Sequence, residues 1–117
     1  MKTFFARQGE VGFFLASGPV PEWPKLEMER GQTILGHSET GHHHVLERPE
    51  AATVLVVDPN PPEGLRILRM IVAEPTRCVH LRGYDTHEAV ELPPGDYEVR
   101  TPVEFDHYAE MARAVAD

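Results

Sequence analysis

The chain is predicted to be an all-β protein, a small antiparallel barrel or sandwich closed by one C-terminal helix. Three observations carry that expectation. The 11 prolines and 9 glycines among 117 residues exceed the ~12% these two types make up in an average chain, which favours many turns over long helices. Between the turns, short runs rich in valine, isoleucine and aromatic residues repeat along the chain, as strands do. Only after residue 105 do apolar residues recur at three- and four-residue steps.

Residues 3–17 hold the first β-forming stretch, where Gly9 and Gly12 would let the chain reverse or kink, giving two strands or one bent one. Pro19, Pro21 and Pro24 then remove backbone donors and mark a loop, with Trp23 placed to cap one end of the core. Residues 25–29 alternate charge with Leu26 and Met28, the period of a half-buried strand, and Arg30-Gly31 turns the chain. Residues 32–37 and 42–47 form the arms of a hairpin around a turn at 38–41. Residues 52–57 are almost continuously β-branched or leucine, so this is expected to be the most buried strand. A turn at 58–64, with three prolines and Gly64, leads into a partner strand at 65–72. Strands at 77–82 and 87–92 flank a turn at 83–86, and Pro93-Pro94-Gly95-Asp96 turns into a last strand at 97–101. Asp106 can cap a helix over about 106–116 that carries Tyr108, Met111, Ala112 and Val115 on one face.

The formal charge of −8 argues against nucleic acid and anionic membranes as partners and leaves a cation or a basic protein partner open. One cysteine, Cys78, cannot form an internal disulfide, and no apolar run is long enough to span a bilayer. A cytoplasmic setting follows as the expectation. Edge strands and the C-terminal helix would suit a homodimer.

Four of the seven histidines fall between His37 and His44, an internal cluster bounded by glycines. On a strand, His42 and His44 share a face with Cα atoms about 6.6 Å apart, and His43 points away. A four-residue loop at 38–41 pairs His37 with His42, so that His37, His42 and His44 converge. In the second hairpin, Arg82 opposite His87 sets His80 diagonally from His87, on the face opposite Val90 and Leu92. Cys78 shares the face of His80. Three imidazoles suit a catalytic divalent metal, zinc first, with iron, nickel or manganese as alternatives. Glu39 and Glu47 are the nearest carboxylates and could act on a metal-bound water as general bases. The competing explanation is a solvent-facing hairpin rich in histidine, in a non-enzymatic accessory or inhibitor protein that binds a basic partner.

Gln8-Gly9-Glu10-Val11, Glu39-Thr40-Gly41-His42-His43-His44 and the stretch from Asp85-Thr86-His87 through Leu92-Pro93-Pro94-Gly95-Asp96-Tyr97 resemble a group of small uncharacterised bacterial and phage proteins. That group shares a Gln-Gly-Asp-Val-like opening, a Thr-Gly-His-x-His signature and a His followed by Leu-Pro-x-Gly-x-Tyr. The resemblance implies His42, His44 and His87 as the shared ligands, since the position of His37 is often not histidine there. Gly36, His42, His44 and Glu47, with Pro94-Gly95-Asp96 and His107, also resemble the two metal motifs of cupins, which implies a cupin-like barrel.

Overall fold

A computed structural model describes residues 3–37, 43–58, 65–80 and 88–102. Its strands are β1 (Thr3–Gln8), β2 (Val11–Leu15), β3 (Ile34–Gly36), β4 (His44–Leu46), β5 (Ala52–Asp58), β6 (Leu65–Val72), β7 (Thr76–His80), β8 (Val90–Leu92) and β9 (Gly95–Pro102). They form two antiparallel sheets, ordered β1-β2-β9-β6-β5 and β3-β4-β7-β8. Among the described residues this is a sandwich rather than a closed barrel. The helix expected over 106–116 and the turns at 38–41, 59–64 and 83–86 lie outside the described residues. No helix among the described residues is long and apolar enough to cross a membrane.

The first stretch resolves into a hairpin, because Gly9 adopts φ +57° and lets Gln8 pair with Val11. Only glycine takes that conformation without steric cost. A bulge between Phe4 and Ala6 leaves Phe5 packed on the core and edge-on to Tyr97, with ring centroids 5.3 Å apart.

In the five-stranded sheet, Phe13 opposes Val99 and Val99 opposes Leu68, while Met70 lies between Tyr97 and Val54. Directly paired residues share a face, so these side chains form one inner wall. Leu35, Leu46, Cys78, Val90 and Leu92 supply the other wall of the same cluster. Each such side chain contributes about 1.5–3 kcal/mol of hydrophobic stabilisation when fully buried.

Two expectations about the strands are corrected. The β-branched run at 52–57 becomes β5, at the edge of its sheet, with Thr53 exposed and Val56 and Val57 half-buried. The inner strands β6 and β9 hold Leu68, Met70 and Val99 at 0% exposure instead. Composition reports suitability for a strand, whereas position in the sheet is set by which strands flank it. The stretch at 25–29 is not a regular strand: Lys25 makes an isolated bridge to Leu55, and Leu26 N–H donates to the Val54 carbonyl at 2.8 Å. Val56 N–H donates to the Pro24 carbonyl at 2.8 Å. The loop therefore covers the exposed edge of β5, a common protection against edge-to-edge association. Trp23 is only half-buried.

The expected turn at Arg30-Gly31 is present, with φ +53° and +76°, and Glu29 and Gln32 exchange backbone hydrogen bonds across it. Further along, Arg66 reaches from β6 to the Leu35 carbonyl at 3.0 Å and joins the two sheets near the histidines.

A stacked histidine pair as the candidate functional site

The site forms where β4 and β7 run side by side. Their register pairs His44 with His80, Val45 with Val79 and Leu46 with Cys78. The two rings stack with centroids 4.4 Å apart and planes inclined by 20°. His44 is only 8% exposed. Two positive imidazolium rings at this spacing would repel by roughly 4 kcal/mol at an effective dielectric of ~20.

Both histidines face the interior, and two register details decide this. Between β3 and β4 the expected pairing holds at Ile34 with Val45, but a bulge follows and sets Gly36 opposite His44. A Cβ built on Gly36 would meet Val11 Cγ2 at 2.6 Å and Thr101 Oγ1 at 3.2 Å, both on the facing sheet, with His44 Cδ2 at 3.5 Å. The side of the sheet that His44 shares with Gly36 is thus the inner one. Between β7 and β8, Cys78 pairs with Val90 and Thr76 with Leu92, one residue away from the register expected from a loop at 83–86. A one-residue shift moves every side chain to the other face. His80 therefore shares its face with Val90 and Leu92, correcting the expectation that it lies opposite them.

His37 is not brought to His44. Its Nε2 lies 2.8 Å from Glu29 Oε2, and its ring meets that of His43 edge-on at 5.0 Å. The bulge that sets Gly36 against His44 separates the two histidines. His42, His87 and Glu39 lie outside the described residues.

Glu47 follows Leu46 and falls on the opposite face from His44. There it binds Arg77 with both oxygens, Arg77 Nε donating to Oε1 at 3.1 Å and Nη2 to Oε2. The hydrogen bond from Arg77 holds the Glu47 carboxyl below its ordinary range, which makes it a weaker base. In the structure Glu47 is thus engaged as the ion-pair partner of Arg77.

Gln8, at the end of β1, is the residue that sequence reasoning leaves without a role. It is 2% exposed. Its Nε2 donates to the Cys78 carbonyl and the Glu88 carbonyl, each at 2.9 Å. Its Oε1 lies 2.8 Å from His44 Nδ1 and accepts from Cys78 Sγ at 3.1 Å. Gln8 shares a face with the buried Val11, and an amide on the core-facing parity of a strand is a signal that could have marked it. It ends on an open cleft of about 310 Å³ between β1 and the start of β8, lined by Phe5, Arg7, Gln8, Glu88 and Glu91 among others.

Cys78 is fully buried, and that burial pushes its thiol up to about 12. The thiolate is the reactive form, so Cys78 is expected to resist a thiol-specific disulfide reagent at neutral pH and to react fully on unfolding. Rapid modification of the folded protein would contradict this assignment.

Among the described residues, no three histidine, cysteine, aspartate or glutamate side chains gather as a metal-binding group. Fold and site together define a two-sheet antiparallel β protein with a stacked histidine pair on its inner face. Residues 7–102 match the family model described as Domain of unknown function (DUF8820), and the chain belongs to that family. No curated protein and no solved structure matches it.

Proposed function

We propose that the protein binds one divalent metal ion at the inner-face histidines, with His44 and His80 as ligands and His42 and His87 completing the set. Zinc is the first choice, and iron, nickel or manganese suit the same imidazole donors. The observation that carries this reading is the His44–His80 stack: two imidazoles from neighbouring strands, side by side on the inner face, His44 buried and His80 half-buried. Two imidazoles so close repel when both are protonated, whereas two neutral rings can share a cation once they tilt out of the stack, because each lone pair lies in its ring plane. His44 also has a hydrogen-bonded partner on its Nδ1, an arrangement common to metal-ligating histidines. The cupin-like reading belongs to the same proposal, since a sandwich with inward-facing histidines is where that type of centre would be built. With a metal in place, the bound ion would supply Lewis acidity toward water or dioxygen.

Protein purified without a nickel column is expected to carry near one equivalent of zinc, iron, nickel or manganese, and to melt at a lower temperature after chelation. His44→Ala and His80→Ala should each lose the metal, while His37→Ala, whose ring is held by Glu29, should keep it. Metal-free protein with unchanged stability on chelation would overturn the proposal.

A further inference from the structure

We propose that Gln8 is a positioning residue that locks His44 in the tautomer carrying its proton on Nδ1, so that Nε2 holds the lone pair. The observation is that every hydrogen-bonding position of one buried amide is assigned by its neighbours.

A carboxamide offers two N–H donors and an oxygen with two acceptor positions. Both Gln8 donors are used by carbonyl groups, those of Cys78 and Glu88, each at 2.9 Å. Carbonyl oxygens only accept, so the nitrogen of the amide must stand at that end. Turning the amide over would press its oxygen against two carbonyl oxygens in a site 2% exposed. Oε1 is thereby fixed facing His44 Nδ1 at 2.8 Å, with Cys78 Sγ–H donating to it at 3.1 Å. An amide oxygen cannot donate, so the ring nitrogen at 2.8 Å must. In a neutral imidazole the other nitrogen then carries the lone pair.

The three segments that meet at Gln8 make this selection rigid. Cys78 belongs to β7, Glu88 precedes β8 and His44 belongs to β4, so one side chain from the opposite sheet ties three segments of the four-stranded sheet. Gln8 is also a neutral acceptor. A carboxylate in its place would favour a charged imidazolium, whereas the amide orients the ring without stabilising that charge. The consequence for metal binding rests on the function proposed above: Nε2 of His44 is the donor atom offered to the cation, with Gln8 as the outer partner that orients it. The tautomer itself does not depend on a metal.

The test is long-range proton–nitrogen NMR of metal-free protein labelled with ¹⁵N at histidine, at a pH where the imidazole is neutral. His44 in the unmodified chain should show a protonated Nδ1 and an unprotonated Nε2. Gln8→Met removes the acceptor and both donors, and should shift His44 toward the Nε2-protonated form. Gln8→Glu also loses the donors but keeps an acceptor, and should retain the Nδ1-protonated form. Gln8→Glu sets a second oxygen against the two carbonyls and so disturbs them at least as much as Gln8→Met; a role for Gln8 through those carbonyls alone would therefore leave the Nδ1-protonated form no better kept in Gln8→Glu than in Gln8→Met. An unmodified chain with Nε2 protonated, or with the two forms mixed, would overturn the inference without any variant needing to fold. Zinc titration separates the two proposals: Gln8→Met should weaken binding by roughly 10–100-fold. A locked tautomer in a chain that binds no metal would leave the inference standing and sink the metal centre.

Discussion

Asp96→Ala is expected to lower the unfolding free energy by about 3–5 kcal/mol, the range for removing one partner of a buried ion pair. Arg69 projects from β6 and donates through Nε and Nη2 to the two Asp96 oxygens, each at 2.6 Å, and through Nη2 to the Gly18 carbonyl at 3.1 Å. The Arg69 side chain is 7% exposed and that of Asp96 31%. Removing the carboxylate leaves a guanidinium charge with little access to water. The converse change, Arg69→Met, leaves a carboxylate that can rotate toward solvent and should cost less, about 2–3 kcal/mol after allowance for that exposure. Urea unfolding of both variants checks the order. Equal losses, or a larger loss for Arg69→Met, would show that the pair is not held together in the way the buried geometry implies.

Gly36→Ala is expected to cost about 1–3 kcal/mol, the usual penalty for adding a methyl group to a filled interior. The new Cβ would stand 2.6 Å from Val11 Cγ2, and Val11 is 1% exposed. A β-branched side chain has little rotameric freedom to withdraw, so the sheets must move apart at this point. Gly36 is paired with His44, and the displacement reaches the histidine pair directly. Lower stability should therefore appear together with altered chemical shifts of both His44 and His80. A variant as stable as the unmodified chain would mean that the sheets are not packed as closely at β3 as described.

Most strand positions were legible along the chain because turn chemistry is local. Proline and glycine clusters separate β5 from β6 and β8 from β9 whatever the rest of the fold does, and the Gly9 turn needs only the residues on either side of it. The relation between His44 and His80 was not legible, because each depends on a register set elsewhere. A bulge at Leu35 and a one-residue difference in the β7–β8 pairing place both on the inner face. Neither shift leaves a mark in hydrophobic periodicity, since His44 and His80 are polar at positions where the pattern would ask for apolar residues. Gln8 escaped for the same reason: a buried amide looks like a surface residue until its four hydrogen-bonding positions are filled by groups distant in the chain.

What the sequence by itself determined is an all-β chain cut into short strands by prolines and glycines, with a concentration of imidazoles near its middle. It also placed Cys78 and His80 on one face, through the two-residue period of a strand. Tertiary structure alone decided which histidines meet. Side-chain direction along a strand is periodic and local, but pairing between strands is a choice among registers that differ by single residues, and packing the two sheets around Val11 and Gly36 makes that choice.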